Sequence, residues 1–355
     1  MDTLLRPKPT RREFLQVATA SLALLGLSQA LSPRVVKALE DGTKKPSVVW
    51  LHGQECTGCS ESFVNSIEPT AASLILDTIS LRYHETIMAA SGHHAEQALN
   101  DAIKEGGYLL VIEGSIPLAE DGLYCQVGGR TFKDIVRECA SKAAAVIPIG
   151  ACATFGGLNS AGPTDAVGYL YRNRKKHHEF DDVTGNKPVI NLPCCPMHPE
   201  RLVAVIVHYL TFGTIPPLDN FERPIAFYGE LQHDNCERRG QFEAGHFVTD
   251  FGDPSQNGYC LYLKGCKGPW TRQDCWKRKW NGQTNYCIGA NAPCVGCSEP
   301  DFYERFSPLY DRQFDVTLPG VGKADIDTVF ATVAAIAAAG IGIDTIITKL
   351  KGDES

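Results

Sequence analysis

Residues 48–59 read VVWLHGQECTGC, an apolar run that ends in a pair of cysteines. The run is short, rich in β-branched residues and closed by glycine, which is typical of a buried strand. Two further runs of this kind, AVIPIGAC and PVINLPCC, also end in cysteine. Together the three runs lead to Cys56, Cys59, Cys152, Cys194 and Cys195.

The sequence around these runs alternates strand and helix patterns. We expect strands at 47–53, 78–84, 108–114, 144–150 and 188–193, and helices at about 58–76, 94–105, 131–142 and 199–212. Such alternation predicts an α/β domain over 46–215 with a doubly wound parallel sheet. Sites in these sheets lie beyond the carboxyl ends of the strands, so the strand-end cysteines should converge.

From residue 216 the alternation stops, and Cys, Gly, Pro and Trp crowd together. This segment offers a second series of donors: His233, Cys236, Cys260, Cys266, Cys275, Cys287, Cys294 and Cys297. Seven cysteines and one histidine divide into two four-ligand sets. The spacing suits iron–sulfur clusters or zinc ions. A thioredoxin-like dithiol would explain Cys56 and Cys59, but not the other strand ends.

The amino terminus has the three parts of an export signal. Thr10–Leu15, TRREFL, matches the twin-arginine pattern, the apolar run 17–31 follows, and residues 1–38 end in VKA. The alternative is an arginine pair that happens to precede a core helix. Exported cysteines normally form disulfides, but the twin-arginine route carries folded proteins, so the thiols can bind metal before export.

Composition excludes several classes of protein. With 43% hydrophobic and 21% charged residues, the chain is globular rather than disordered. Its net charge is −7, and loss of the six basic and two acidic residues of 1–38 leaves −11. A chain with this net charge is not expected to bind nucleic acid, because such binding depends on Lys and Arg side chains that neutralise phosphates.

The carboxy-terminal tail contains an apolar stretch. It runs from Val329 to Ile343, and Lys349 and Lys351 follow. A membrane span needs about 20 apolar residues, and the lysines satisfy the positive-inside rule. We therefore expect a membrane anchor at 326–349; the alternative is a helix that packs on a partner.

Seven motifs occur in a fixed order: ECTGCSES, EGSIP, GACATFGG, CPMHP, HDNCERR, GYCLYLKGCKGP and CVGCSEPDF. Together with the signal and the tail, they resemble the small subunit of a periplasmic, membrane-associated nickel–iron hydrogenase. The resemblance covers essentially the whole chain. It implies a flavodoxin-like domain over 46–215, and a largely irregular, cluster-stabilised domain over 216–315.

The resemblance also implies three ligand sets. The proximal 4Fe–4S cluster would be held by Cys56, Cys59, Cys152 and Cys195. The distal 4Fe–4S cluster would be held by His233, Cys236, Cys260 and Cys266. The medial cluster would be held by Cys275, Cys294 and Cys297. Most of the family has proline where this chain has Cys287, with a 3Fe–4S cluster, whereas selenium-containing relatives have cysteine and a 4Fe–4S cluster. We therefore expect a medial 4Fe–4S cluster, with 3Fe–4S as the alternative.

By the same resemblance the chain contains no catalytic residue, because hydrogen is split at a nickel–iron centre on the large subunit. The chain would carry electrons to a membrane or periplasmic cytochrome, or to quinone, on the periplasmic side of the membrane. Its assembly would be a heterodimer or a dimer of heterodimers. The rival functions are a free-standing iron–sulfur carrier and a structural zinc protein. Cys194 stands where the family has glycine, so its role is open.

Overall fold

The structure is a computed structural model, and part of the chain lies outside what it describes. The described residues are 45–67, 70–73, 75, 79–303, 309–311, 316–318 and 322–324. The expected signal at 1–38 and anchor at 326–349 fall outside them. Within the described ranges no helix has the length and apolar character needed to cross a bilayer.

In the described part of the chain, a four-stranded parallel sheet has the order β2-β1-β3-β4. Its strands are β1 (Ser47–His52), β2 (Ser80–His84), β3 (Leu109–Glu113) and β4 (Ala145–Ile149). Every residue of β3 and β4 is buried. Strands buried on both faces are expected where helices cover a parallel sheet on each side.

The expected fifth strand, 188–193, lies beside β4 but pairs with it only at isolated positions. Val189 pairs with Val146, and Leu192 pairs with Ile149, both in parallel. Pro148 in β4 has no N–H to donate to the segment, so the ladder is interrupted between these two positions. The segment still extends the sheet by one position at the edge next to β4.

The α-helices flank and follow the sheet. Their bounds are α1 Gly58–Val64, α2 Ala71–Ser73, α3 His93–Glu105, α4 Phe132–Lys142, α5 Gly150–Phe155, α6 Asp181–Thr184, α7 Pro199–Phe212, α8 Ile225–Tyr228, α9 Arg239–Glu243 and α10 Cys275–Arg278. The expected helices at 94–105, 131–142 and 199–212 correspond to α3, α4 and α7. The helix expected over 58–76 is wrong in length, because α1 ends at Val64. Asn65 and Ser66 follow, and side chains of this kind form hydrogen bonds with backbone groups in non-helical conformations, which compete with the hydrogen bonds of the helix.

Two apolar cores lie on opposite faces of the sheet, because alternate strand residues point to opposite sides. Val48 and Trp50 pack on one side with residues of α7. Val49 and Leu51 pack on the other side with residues of α3 and α4. The expected doubly wound α/β architecture is therefore confirmed.

After α8 the chain is mostly irregular and contains only short helical turns. The 3-10 helices of the described chain are Ala119–Gly122, Gly157–Ala161, Pro254–Gln256, Tyr262–Lys264 and Gly268–Trp270. A small core joins Val248, Leu261 and Ile288 to Cys266, Cys275 and Cys294. Cysteine side chains therefore form part of this small core.

Short antiparallel pairs complete the described structure. They join Ile116–Pro117 to Ala166–Val167, Gln126–Val127 to Arg130–Thr131, Tyr171–Arg172 to Lys175–Lys176, and Val316–Leu318 to Gly322–Ala324. The last pair belongs to a separate compact unit that begins at Asp311, whereas the sheet and the cysteine-rich segment belong to one unit that ends at Tyr310.

Candidate metal centres

The first group of thiols lies at the carboxyl ends of β1 and β4 and of the edge segment. Its members are Cys56, Cys59, Cys152 and Cys195. Burial, followed by the charges of Cys195 and Cys56, raises the pKa of Cys152 to about 12. Burial also raises the pKa of Cys195 to about 11, and Cys56 contributes again. The strand ends have thus brought the predicted thiols within interaction range of one another.

Two glycines make room for these sulfur atoms. At Gly150, where φ is +77°, a Cβ atom would lie 2.5 Å from Sγ of Cys59. At Gly157, where φ is +54°, it would lie 2.9 Å from Sγ of Cys152. Both the backbone conformation and the close approach require glycine.

Glu113, at the end of β3, holds the first group in place. Its carboxylate accepts hydrogen bonds from the backbone N–H groups of Cys59 and Ser60, at 3.0 and 3.1 Å. It also accepts from Oγ of Ser60 at 2.6 Å and from Nε1 of Trp50 at 3.0 Å. Sequence reasoning missed this residue, although an acid that ends the apolar run YLLVIE was a usable signal.

A second group of thiols surrounds a cavity of about 340 Å³. Cys275, Cys287, Cys294 and Cys297 all line it. Burial raises the pKa of Cys275 to about 12 and places that of Cys294 well above its ordinary value. Cys287 is the exposed member of the group. The structure therefore places the fourth cysteine at the same cavity as the other three.

Gln232 also lines this cavity, and its amide is an unusual feature. The residue is 1% exposed, yet neither Nε2 nor Oε1 has a hydrogen-bond partner among the described residues. Buried amides without partners are costly. The cavity therefore suits a polar group rather than apolar packing.

A third group consists of His233, Cys236, Cys260 and Cys266, which line one small pocket. Burial, and then the positive charge of Arg239, lowers the pKa of His233. A neutral imidazole is the form that binds metal ions. Burial raises the pKa of Cys266 to about 11.

The raised pKa values have a common consequence. Buried thiols become thiolates only if a positive charge compensates for the lost solvation, and a bound metal provides that charge. Each group supplies four donors of the sulfur and imidazole type. The donor chemistry therefore fits iron–sulfur clusters or zinc, as the sequence predicted.

The three groups form a continuous series. Cys195 of the first group also lines the cavity that the second group surrounds. The backbone N–H of Cys294, in the second group, donates to Sγ of Cys266, in the third, at 3.4 Å. The first and second groups thus share a cavity, and the second and third are joined by a hydrogen bond.

A buried network of ion pairs joins α7 to the segment that carries Cys275 of the second group. Arg201, fully buried on α7, donates from Nε to Oδ1 of Asp274 at 3.1 Å and from Nη2 at 2.5 Å. Arg278 donates to the other oxygen of Asp274 at 3.0 and 2.8 Å. Burial opposes ionisation, but the two arginines outweigh it and lower the pKa of Asp274 to about 2. Asp274 directly precedes Cys275, so the network fixes a thiol of the second group.

Arg201 also contacts Cys194. Its Nη1 atom donates to Sγ of Cys194 at 3.0 Å. Burial would raise the pKa of Cys194, but the hydrogen bond with Cys297 and the Arg201 charge lower it to about 7. Cys125 and Cys139 pack instead among the apolar residues on the α3 and α4 side of the sheet.

Comparisons with known proteins agree with this arrangement. A family model for the C-terminal part of the NiFe/NiFeSe hydrogenase small subunit matches residues 228–310. A second model, NADH ubiquinone oxidoreductase 20 Kd subunit, matches residues 56–209. The boundary between them falls between the sheet and the cysteine-rich segment.

Relatives match over nearly the whole chain. The periplasmic NiFe hydrogenase small subunit 1 of Nitratidesulfovibrio vulgaris is 44% identical over 87% of this chain and 96% of its own length. The quinone-reactive Ni/Fe-hydrogenase small chain of Wolinella succinogenes is 41% identical over 97% of each chain. A solved structure, the reduced, active Ni-Fe-Se hydrogenase from Desulfomicrobium baculatum, matches with a TM-score of 0.69 and 34% identity, over 76% of this chain and 100% of that one.

Proposed function

Because this chain belongs to the small subunits of the nickel–iron hydrogenases, we propose that it carries electrons between the large subunit and an acceptor. Hydrogenases of this family are oxidoreductases that act on H2. The nickel–iron centre that splits hydrogen would lie on the large subunit. The acceptor would be a cytochrome, or quinone reached through it.

Three iron–sulfur clusters would occupy the three groups of donors. The proximal 4Fe–4S cluster is assigned to Cys56, Cys59, Cys152 and Cys195, and the distal one to His233, Cys236, Cys260 and Cys266. The medial cluster is assigned to Cys275, Cys287, Cys294 and Cys297. With four thiolates this medial cluster would be 4Fe–4S, and 3Fe–4S is the alternative. Such clusters supply one-electron redox chemistry.

The observation that carries this proposal is the contact between neighbouring groups of donors. Cys195 of the first group lines the cavity of the second group, and a hydrogen bond from Cys294 to Cys266 links the second group to the third. A structural zinc protein has no need of a continuous series. A one-electron relay requires its centres to be close, which favours iron–sulfur clusters over zinc.

The proposed assembly is a heterodimer with the large subunit, or a dimer of heterodimers. Domain organisation is proposed as a flavodoxin-like domain over 46–215 and a cluster domain over 216–315. The complex would act on the periplasmic side of the membrane, exported through the signal at 1–38 and held by the anchor at 326–349. The acidic composition of the chain argues against nucleic acid as a partner.

The test is purification of the complex without oxygen, followed by metal analysis and spectroscopy. We expect both subunits to purify together, a brown iron–sulfur absorbance that H2 bleaches, and about 12 iron atoms per chain. Cys236→Ala should lower the iron content, because it removes a distal donor. Cys139→Ala, at a buried thiol outside the three groups, is the matched control and should not.

Two results would contradict the proposal. Zinc in place of iron, in a colourless protein, would favour the structural zinc protein. An iron-loaded chain that purifies alone would favour the free-standing carrier.

A further inference from the structure

The backbone of Met197 contacts a sulfur atom of the first group of donors. Its N–H group donates a hydrogen bond to Sγ of Cys59 at 3.2 Å. Cys59 lies on α1, whereas Met197 follows Cys195 by two residues, so the bond joins distant parts of the chain. Met197 is 0% exposed and Cys59 is 9% exposed. Little water therefore competes with this hydrogen bond, which is stronger for that reason.

The direction of this hydrogen bond does not depend on the protonation of a side chain. A backbone N–H group can only donate. The sulfur atom of Cys59 is therefore the acceptor, both as a free thiol and as a ligand of iron. A cysteine that binds a metal has lost its proton, and a hydrogen bond to a charged acceptor is stronger than one to a neutral acceptor.

The surrounding structure holds both partners in position. The backbone N–H of Cys59 donates to Oε1 of Glu113 at 3.0 Å, which fixes the start of α1. Gly150 leaves the space that Sγ of Cys59 occupies. Met197 packs in the same apolar core as Leu202 of α7. A backbone donor held in this way cannot rotate away from the sulfur atom as a side-chain donor can.

We propose that the backbone N–H of Met197 raises the reduction potential of the proximal site through its hydrogen bond to Cys59. Hydrogen bonds to the sulfur atoms of an iron–sulfur cluster help to set its potential. The reduced state is the more negative one, so a donor stabilises it and raises the potential. The inference rests on the proposed function, because it needs an iron–sulfur cluster bound to Cys59.

Labelling with ¹⁵N-methionine tests the contact in the unaltered protein. The chain contains three methionines, Met1, Met88 and Met197. Pulsed electron paramagnetic resonance of the reduced, purified heterodimer should show a ¹⁵N coupling to the proximal cluster, because the nitrogen atom lies 3.2 Å from a ligand sulfur atom. Met197→Leu, produced with the same label, should lose this coupling. Met88→Leu is the matched control and should keep it.

A redox titration of the same complex tests the effect on the potential. Met197→Pro removes the N–H group and should lower the proximal potential by about 59 mV, a tenfold change in the equilibrium constant for one electron. Met197→Leu keeps the N–H group and nearly the same volume, so the proximal potential should equal that of the wild type. The distal signal is the internal reference and should shift in neither variant.

Several results would overturn the inference. A labelled wild-type complex without the ¹⁵N coupling, or a coupling that persists in Met197→Leu, would show that the contact is absent. An unchanged or higher proximal potential in Met197→Pro, or an equal decrease in Met197→Leu, would show that the N–H group does not set the potential. The labelling result does not depend on whether Met197→Pro assembles.

Failure of the proposed function gives a different result. The wild-type complex would then show no iron–sulfur signal, with or without the label.

Discussion

Cys287 is the residue that decides the chemistry of the second group of donors. It is exposed, yet it lines the same cavity as Cys275, Cys294 and Cys297. Although the residue as a whole is exposed, desolvation of its thiol by the surrounding protein raises the pKa of Cys287, so a bound metal must favour its thiolate form. A thiolate supplies a fourth ligand and a further negative charge, whereas proline supplies neither.

Replacing Cys287 by proline is expected to convert the medial site from four irons to three. With one ligand removed, the iron atom that it holds should be lost. Electron paramagnetic resonance of the mildly oxidised complex should then show a new three-iron signal, at about one spin per chain. The medial potential should rise, because a negative ligand has been lost.

Cys125→Ser is the control for this substitution, because Cys125 packs against the sheet core outside the three groups. It should leave the spectrum unchanged. A strong three-iron signal in the wild-type complex would contradict the assignment of Cys287.

At the level of secondary structure, the apolar runs predicted the sheet and the place where the thiols meet. Parallel pairing and helix cover follow from alternation, because parallel strands need crossover helices, but alternation does not specify the strand order. The excess length of the helix expected over 58–76 could have been avoided, because Pro69 lies inside that range and proline breaks a helix interior. The incomplete pairing of residues 188–193 with β4, by contrast, could not be predicted from the apolar pattern of this segment.

Glu113 joins two elements, since it ends β3 and binds the first turn of α1. Glu113→Gln keeps one acceptor oxygen for these N–H groups, but it replaces the other oxygen with an NH2 group that cannot accept from Nε1 of Trp50. We expect a loss of about 1–3 kcal/mol in the stability of this region. The measurement is thermal unfolding of the complex, with the electron paramagnetic resonance signal of the proximal cluster recorded after each temperature step.

Glu105→Gln is the matched control, because Glu105 is exposed at the end of α3 and pairs with Arg82. An exposed ion pair contributes little to stability. Equal unfolding temperatures for the two variants would show that Glu113 does not support α1.

Across the whole molecule, the sequence predicted three sets of donors but not the contacts between them. Spacing placed Cys195 at a strand end, yet only the fold brings it to the cavity that Cys297 also lines. The role of Arg201 was also hidden, because its partner Asp274 is 73 residues away. Long-range contacts of this kind depend on the packing of irregular segments, which no local pattern specifies.

Export provides a prediction for the complete complex. If the large subunit leaves the cytoplasm only with this chain, Arg11→Lys combined with Arg12→Lys should retain both subunits there. Fractionation followed by immunoblotting measures this. Arg34→Lys, outside the TRREFL motif, is the control and should not affect export. A periplasmic large subunit in the double variant would exclude shared export.

The ion pair between Arg201 and Asp274 also has a consequence for how such a chain can be shortened. Two family models meet between residues 209 and 228, as if the chain could be divided there. A fragment that ends at 215 would keep Arg201 inside α7 but lose the carboxylate that neutralises it. Removing one partner of a buried ion pair costs about 3–5 kcal/mol, comparable to the whole stability of many small domains. We therefore expect the two halves to unfold together, in agreement with the single compact unit that they form.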